Sequence, residues 1–187
     1  MSGRVVGVLA LQGGVAEHAR MIEALGHRPR PVRRIGDLEG IEALVLPGGE
    51  STTLHRLLTA FDLTEGIRDA ARRVPTLGTC AGVILLATLG VLDVDVERNA
   101  FGPQADSATA RLPWKDGSVV AAFIRAPRVT RVGSGVRVCS TWQGGGRYGA
   151  EPAIVGVEQG EGEQRIIGVS FHPELTGDTT IHRDLLD

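Results

Sequence analysis

The sequence lacks the marks of secreted, membrane-spanning and disulfide-stabilised proteins. Two of its 187 residues are cysteines, Cys80 and Cys139, so we do not expect a disulfide framework. We expect the protein to occupy a reducing compartment. Its apolar runs are all shorter than a membrane span, and its N-terminus has a strand pattern instead of the basic and apolar segments of a signal peptide. We therefore expect a cytoplasmic protein with no membrane partner.

A strong charge of one sign is also missing. The formal net charge is −2, and Lys115 is the single lysine among 20 basic residues. We interpret the excess of arginine as a compositional bias, because a nucleic-acid interface requires basic residues gathered on one face or stripe. No nucleic-acid partner is predicted.

What is present is a chain long and apolar enough to bury one sizeable core. It is 42% hydrophobic and has no internal repeats, so residues 1–187 are expected to form a single domain. Strand and helix patterns alternate in the first half, and consecutive strand patterns fill the second. Alternation implies crossovers and consecutive strands imply hairpins. The sequence predicts an α/β fold: a three-layer, open, mostly parallel sheet flanked by helices, with an antiparallel extension.

The individual elements are predicted from their apolar runs. The first strands and helix are Val5–Leu11, Ala43–Leu46 and Val15–Leu25. Ser51 or Thr52 is expected to cap the helix that follows the second of these strands. After about residue 92 the pattern indicates strands and turns without obvious helices, among them Leu92–Val96, Val119–Ile124 and Ile154–Val157. The glycine triplet at 144–146 is interpreted as a loop tip.

Cys80 lies between an apolar run typical of a buried strand and one typical of a helix. Gly78 and Gly82, two residues before and after it, allow the tight backbone of a nucleophile elbow. A larger side chain there would clash with neighbouring strands or block the approach of the helix. A thiol on this turn faces the free N–H groups of the helix, whose partial positive charge favours thiolate. Cys80 is therefore the predicted nucleophile.

A second apolar run, residues 165–171, ends at His172-Pro173-Glu174. Side chains at i and i+2 share one face of a strand, so His172 and Glu174 are expected to point the same way and Pro173 the opposite way. The imidazole can take the thiol proton and return it to a leaving amine, while the carboxylate orients the ring. These residues predict a Cys80–His172–Glu174 triad.

A double-glycine turn, Pro47-Gly48-Gly49-Glu50-Ser51, supplies a third chemical feature. Sites in open α/β sheets form at the carboxyl ends of strands, so this turn and Cys80 should lie on one rim. The backbone N–H groups of Gly49 and Ala81 are then candidates for an oxyanion hole. An ordinary strand-to-helix loop is the alternative, because Gly-Gly is common in turns.

Together these motifs resemble the triad class of glutamine amidotransferases and, more narrowly, the glutaminase subunits of pyridoxal 5′-phosphate synthase. The segments that carry the narrower resemblance span nearly the whole chain, and their joint order and spacing are specific. They are Leu11–Gly13 with Glu17-His18, Pro47–Thr53, Gly78–Gly82, Val96–Asn99, Phe123–Pro127 and Ser170–Thr176.

The resemblance implies that L-glutamine is hydrolysed to glutamate through a thioester on Cys80, and that ammonia passes to a partner synthase in a heteromeric complex. No cofactor and no metal are predicted. The residues implied to contact glutamine are Gly49, Glu50, Ser51, Arg98, Ile124 and Arg125. We assign the arginines to its α-carboxylate and Glu50 to its α-ammonium group. Gln12 and Gly13, at the end of the first strand, are expected to couple the partner to the glycine turn.

Some positions depart from the family pattern. Pro103 stands where a basic residue is common, Ala108 where an aromatic is usual, and the stretch from Leu89 to Asp93 is short. The chain also ends soon after Asp178, where similar proteins usually carry a longer helix. These departures concern the interface with the synthase and not the triad.

Three alternatives stay open at this point. A glutaminase serving another synthase, such as that of histidine synthesis, would share the triad, although Leu11–Gly13 and Ile124–Pro127 argue against it. A cysteine hydrolase of the dienelactone or γ-glutamyl type would differ in substrate, and in the former the acid comes from a separate segment. A catalytically silent regulatory subunit would be expected to lack one of the three triad groups.

Overall fold

The structure, a computed structural model of the chain, describes residues 3–100, 108–143 and 152–187. Two features singled out in the sequence, Pro103 and the glycines at 144–146, lie outside the described residues. Across the described segments, no helix combines the length and the apolar character needed to cross a membrane.

Helices and strands alternate up to the turn at Cys80, and strands dominate after it. The helices are α1 (Val15–Ala24), α2 (Ser51–Ala60), α3 (Thr64–Ala71), α4 (Ala81–Thr88) and α5 (Thr180–Leu186). The strands are β1 (Val5–Leu9), β2 (Arg28–Val32), β3 (Ala43–Leu46), β4 (Thr76–Thr79), β5 (Val94–Glu97), β6 (Ala108–Trp114), β7 (Gly117–Phe123), β8 (Arg128–Val132), β9 (Val136–Trp142), β10 (Ala153–Gln159) and β11 (Ile166–Val169).

The described strands form a nine-stranded sheet and a separate two-stranded hairpin, β6–β7. The order in the large sheet is β2-β1-β3-β4-β11-β10-β8-β5, and β9 also pairs with β10. Five neighbouring strands of this sheet, β2, β1, β3, β4 and β11, run parallel to one another. The other four, β10, β9, β8 and β5, form antiparallel pairs. The predicted α/β fold with an antiparallel extension is therefore confirmed.

Buried apolar residues cover both faces of the sheet, as the side-chain alternation of β3 shows. Leu44 and Leu46 belong to a core that includes residues of α2, α3 and α4. Ala43 and Val45 belong to a core on the other face that includes residues of α1, α5 and the β6–β7 hairpin. A strand buried on both faces is expected to be apolar at every position, which is the pattern of β3.

The expected cap of α2 is wrong. The helix begins at Ser51, so Ser51 and Thr52 are helical residues, and its N-cap is Glu50. The Glu50 carboxylate is long enough to accept hydrogen bonds from the backbone N–H groups of Thr52 and Thr53. It therefore satisfies the first free donors of the helix, as the shorter side chains more often do.

The expectation of no helix after residue 92 is also wrong, because α5 forms near the end of the chain. Its residues Ile181, Leu185 and Leu186 are buried in the same core as α1. A seven-residue helix has too little propensity of its own to stand alone. Tertiary packing stabilises it, and the local sequence pattern does not report that packing.

Candidate active site

Cys80 lies in the sharp turn between β4 and α4. Its backbone adopts φ 48° and ψ −107°, a conformation that residues with a side chain rarely take. Its backbone N–H donates to the carbonyl oxygen of Val169 at 2.8 Å, and the residue is 6% exposed. Because Ala81 begins α4, Cys80 stands at the end of the helix whose N–H groups lack intrahelical acceptors. The elbow predicted at Cys80 is present.

Two glycines let this turn pack closely, as predicted. A methyl group at Gly82 would overlap the carbonyl oxygen of Leu46 in β3, so only glycine lets α4 approach the strand. A methyl group at Gly78 would come within 2.6 Å of Leu86 Cδ1 and 2.7 Å of the Gly82 backbone. The absence of both side chains brings α4 directly against β3 and β4.

The pairing of β4 with β11 brings Cys80 and His172 to the same edge of the sheet. The two strands are parallel neighbours, and Thr79 pairs with Val169 in their register. Cys80 and the segment after Val169 therefore leave the sheet side by side. The backbone N–H of His172 donates to the Ala122 carbonyl of β7 at 2.8 Å, which anchors the segment.

His172 and Glu174 meet, but not for the predicted reason. β11 ends at Val169, and Pro173–Leu175 forms a 3₁₀ turn, so the two side chains do not share a strand face. The turn brings Glu174 Oε1 to 2.7 Å from His172 Nδ1. Pro173 suits the first position of such a turn, because its fixed φ fits there and its missing N–H would have no partner.

The electrostatic surroundings favour a charged imidazole. Burial of the His172 ring disfavours its charged form, but hydrogen bonds and attraction from Cys80 and Glu174 outweigh burial and raise its pKa to about 10. Since Nδ1 faces Glu174, the other ring nitrogen is left for the thiol. A protonated imidazole beside the thiol can stabilise a neighbouring anion, and the thiolate is the nucleophilic form of any cysteine.

The glycine turn after β3 packs against both of these groups. A methyl group at Gly48 would overlap the His172 ring and come within 3.1 Å of Cys80 Cβ. The turn after β3 and the turn after β4 therefore share one rim, as the sequence predicts.

The loop after β1, which contains Gln12 and Gly13, packs against the glycine turn. Gly13 has φ 98°, and a methyl group there would overlap the carbonyl oxygen of Gly48. Because a trans peptide places its N–H opposite its C=O, the N–H of Gly49 points away from Gly13. Gln12 Oε1 accepts a hydrogen bond from the N–H of Glu50 at 3.1 Å. The loop and the turn are thus in direct contact.

A cleft of about 280 Å³ opens beside Cys80. Its lining includes Ala81 and all six residues implied to contact the substrate: Gly49, Glu50, Ser51, Arg98, Ile124 and Arg125. Sequence reasoning missed four further lining residues, Thr52, Ile84, Asn99 and Pro127. Thr52, Asn99 and Pro127 belong to motifs quoted above, and their place in those motifs is the sequence signal that could have identified them as lining residues.

The charged residues of the cleft differ in how far they are already engaged. Glu50 accepts hydrogen bonds from the N–H of Thr52 at 3.0 Å, the N–H of Thr53 at 2.7 Å and the Thr53 hydroxyl at 2.6 Å. The bonds from Thr53 and Thr52 lower the pKa of Glu50 to about 2. Arg98 donates to Thr52 Oγ1 at 3.3 Å, and Arg125 has a left-handed φ of 46°. Such strain is common at functional sites.

The second cysteine has different surroundings. Cys139 lies in β9, where burial and then the nearby Glu158 carboxylate raise the pKa of its thiol to about 11. Both cysteines are free. In the parts of the chain that the structure describes, no group of three or more His, Cys, Asp or Glu residues could hold a metal ion.

Comparison with known proteins places this geometry in a family. The sequence profile of the SNO glutamine amidotransferase family matches residues 8–186. The chain belongs to the SNO glutamine amidotransferase family. A Cutibacterium acnes protein named pyridoxal 5′-phosphate synthase subunit PdxT is 46% identical, over 97% of this chain and 95% of that protein. Its Corynebacterium jeikeium namesake is 45% identical, over 97% and 95%. A crystal structure of a glutamine amidotransferase matches with a TM-score of 0.83 and 41% identity, covering 97% of this chain and 96% of that one.

Membership of the SNO family confirms the resemblance stated from the motifs. The comparisons also bear on two of the three alternatives, the cysteine hydrolase and the glutaminase of histidine synthesis. A cysteine hydrolase of the dienelactone type is not an amidotransferase and is excluded by the family match. The curated relatives carry the name of a pyridoxal 5′-phosphate synthase subunit and not that of a histidine-synthesis enzyme.

Proposed function

We propose that the protein hydrolyses L-glutamine to L-glutamate and ammonia, and delivers the ammonia to a pyridoxal 5′-phosphate synthase subunit. The observation that supports this most strongly is the constellation around Cys80: a cysteine on a strained elbow, interacting with His172 and Glu174 and opening onto a cleft with charged walls. The names of the relatives support the choice of synthase.

In the proposed reaction, the Cys80 thiolate attacks the side-chain carbonyl carbon of glutamine. The N–H groups of Gly49 and Ala81 stabilise the resulting oxyanion, with about 3 kcal/mol from each donor. His172 gives its proton to the amide nitrogen, which departs as ammonia and leaves a thioester on Cys80. Water then attacks the thioester while His172 accepts its proton, the C–S bond breaks, and glutamate leaves as the Cys80 thiolate and the protonated His172 are restored.

The charges of the cleft match the two ends of glutamine. A carboxylate has about four acceptor sites, and three of those on Glu50 are occupied, two by the backbone N–H groups that it caps and one by the Thr53 hydroxyl. Glu50 Oε1 accepts one of these bonds, so it retains a site for the α-ammonium group of the substrate. Arg98 and Arg125 line the same cleft and provide cations for the α-carboxylate.

We assign the reaction to the cytoplasm, because a nucleophilic thiol must stay reduced. Cys80 and Cys139 are both free, which fits a reducing compartment.

A glutaminase assay on the full chain, alone and with a pyridoxal 5′-phosphate synthase subunit, tests the proposal. Cys80→Ser should lower kcat by at least ~10³-fold, and Cys139→Ser should leave it unchanged. The proposal fails if glutamine is hydrolysed under neither condition, which is also the behaviour of a silent regulatory subunit, or if Cys80→Ser keeps its turnover.

Coupling to the synthase is proposed to run through Gln12 and Gly13. Gln12 bonds the turn that carries Gly49, so a partner pressing on this loop would shift the oxyanion donor. A methyl group at Gly49 would lie 3.1 Å from Gln12 Oε1 and press on the same contact. We expect the synthase to raise kcat, and Gln12→Ala and Gly49→Ala to reduce that activation ratio more than they reduce stability. Equal turnover with and without synthase would contradict the coupling alone.

A further inference from the structure

Behind the proposed triad lies a group of buried polar side chains that the proposed chemistry does not use. His18 on α1, His182 on α5 and Thr79 at the end of β4 are each 0% exposed. A buried polar group without partners costs free energy, so such groups are normally hydrogen-bonded. The partners of these three residues therefore indicate their role.

The His18 ring makes contacts at both of its nitrogens. Nδ1 lies 2.8 Å from His182 Nε2, and Nε2 lies 3.2 Å from Thr79 Oγ1 and 3.5 Å from Glu174 Oε2. Among the described residues, Glu174 Oε2 is buried and makes no hydrogen bond, so the His18 ring is the donor group that faces it.

Thr79 connects the same ring to the other half of the site. Its hydroxyl oxygen accepts a hydrogen bond from the N–H of Gly48 at 3.0 Å. One imidazole therefore stands between the carboxylate that orients His172 and the turn that carries the N–H of Gly49.

The surroundings of His18 determine which nitrogen carries the proton. With the proton on Nε2, the N–H faces two oxygens, and Nδ1 accepts from the N–H of His182. With the proton on Nδ1, a lone pair would face the Glu174 carboxylate, and His182 Nδ1 would hold a buried N–H. His182 Nδ1 has no partner within the described residues, and a buried unpaired N–H is rarer than an unpaired acceptor. The first arrangement is favoured on both counts.

We propose that His18, in the neutral Nε2–H tautomer set by His182, is a positioning residue that fixes the Glu174 carboxylate and the Thr79 hydroxyl relative to each other. It thereby ties the orientation of His172 to the position of the oxyanion turn. The catalytic consequence rests on the proposed glutaminase function, whereas the tautomer and the contacts do not.

Both histidines must be neutral for this arrangement. Burial, followed by repulsion from His182 and His172, holds the pKa of His18 well below its usual range. Burial lowers the pKa of His182 to about 4. At neutral pH each ring therefore carries one proton, and the two protons can form a single directed chain toward Glu174.

The direct test is nitrogen NMR of the imidazoles in the full chain, which contains five histidines. We expect the Nε2–H tautomer at His18 and His182 from about pH 6 to 8, with His172 protonated over the same range. An Nδ1–H tautomer or a protonated ring at His18 would overturn the proposal. This measurement needs no glutamine turnover, so it stands even if the proposed function fails.

Variants test the consequence for the site. His18→Leu should lower the pKa of His172 by about 1 or more and slow alkylation of Cys80 at pH 7, because Glu174 is no longer held in its orientation toward His172 Nδ1 by the ring that faces Oε2 at 3.5 Å. We expect kcat to fall roughly 10–100-fold with KM changed less than about 3-fold, the pattern of a lost orienting contact. His18→Gln, whose amide can present an N–H near the same place, should recover part of the loss in each readout.

The matched control is Met21→Ala on the same helix, because Met21 is buried in α1 and its thioether is not one of the hydrogen-bonding or charged partners given above for His18. It should lower stability while leaving the pKa of His172 and the ratio of kcat to KM unchanged. If His18→Leu and Met21→Ala behave alike in all readouts, or His18→Gln recovers nothing, His18 has only a packing role. Should His18→Leu fail to fold, the tautomer measurement and His18→Gln still decide the question.

Discussion

Cys80 and Cys139 show how the surroundings of a residue decide its chemistry. Cys80 stands on a strained turn beside an imidazole whose pKa is raised to about 10, so that imidazole holds a proton at neutral pH. Cys139 lies on a strand, where burial raises the pKa of its thiol to about 11. The surroundings therefore favour nucleophilic reaction of the Cys80 thiol and disfavour reaction of the Cys139 thiol.

This contrast predicts selective labelling. At pH 7.5, a thiol of pKa about 11 is ionised in fewer than ~1 in 1,000 molecules, so a glutamine-like electrophile should alkylate Cys80 at least ~100-fold faster than Cys139. Mass spectrometry of the digested protein over time gives both rates. In Cys80→Ala, label should accumulate only at the slow rate. Labelling of Cys139 first would contradict the assignment of the nucleophile.

His172 and Glu174 are predicted to differ in what their loss removes. His172→Ala deletes the base, whereas Glu174→Gln keeps a hydrogen-bonding group of the same shape but removes the negative charge at 2.7 Å from Nδ1. We expect kcat to fall by about 10²–10⁴-fold in both. The pKa of His172, followed by NMR, should drop in Glu174→Gln because a cause of its elevation is gone. Near-normal turnover in Glu174→Gln would indicate that a Cys–His dyad suffices.

At the scale of elements, the close approach of α4 to β3 depends on the missing side chain of Gly82. Gly82→Ala places a methyl group on the Leu46 carbonyl oxygen, and neither backbone can give way easily. Overpacking of this kind costs about 1–3 kcal/mol, so we expect a loss of that size in urea denaturation. Because the shift of α4 displaces Ala81 and Cys80, kcat should fall as well.

Gly36→Ala is the matched control for this prediction, because no atom of the described residues other than its chain neighbours lies within 4 Å of the added carbon, and no positive φ is involved. Its stability should stay within about 0.5 kcal/mol of wild type. A neutral Gly82→Ala would show that α4 is free to move away from β3.

The elements that could be predicted from sequence are those whose apolar pattern is local and continuous. The helix expected over Val15–Leu25 ends one residue earlier, at Ala24, and the strand expected over Ala43–Leu46 has those bounds. β2, in contrast, alternates arginine and proline, and it forms because every one of its residues pairs with β1. Such strands are made by partners distant in sequence, which local patterns do not contain.

The same distinction holds for the site. Cys80, the glycine turn and the His-x-Glu segment could be predicted because each is a short motif with its own chemistry. His18 and His182 could not be paired in advance, since they are 164 residues apart and meet only because α1 and α5 pack on the same face of the sheet. The role proposed for them arises at the level of packing.

At the scale of the whole molecule, the histidines set opposite limits on the pH range of stability. The pKa of His172 is raised in the folded state to about 10, so its stabilisation is complete below the unfolded value of 6.5 and is lost as pH rises toward 10. The pKa values of His18 and His182 are lowered, to about 4 for His182, so their stabilisation is complete above 6.5 and is lost as pH falls. The histidine contribution is therefore largest near pH 6.5.

This predicts that the free energy of unfolding rises with pH between about 4 and 6.5. In that window the unfolded chain binds protons at positions 18 and 182 that the folded chain excludes, and each such proton contributes a slope of about 1 kcal/mol per pH unit. Urea denaturation at half-unit pH intervals measures the slope. His182→Gln should reduce this slope by the contribution of one proton, about 1 kcal/mol per pH unit. Met21→Ala should instead lower the free energy of unfolding equally at every pH. An unchanged slope in His182→Gln would mean that His182 is already charged in the folded protein, and hence that it does not donate to His18 as a neutral ring.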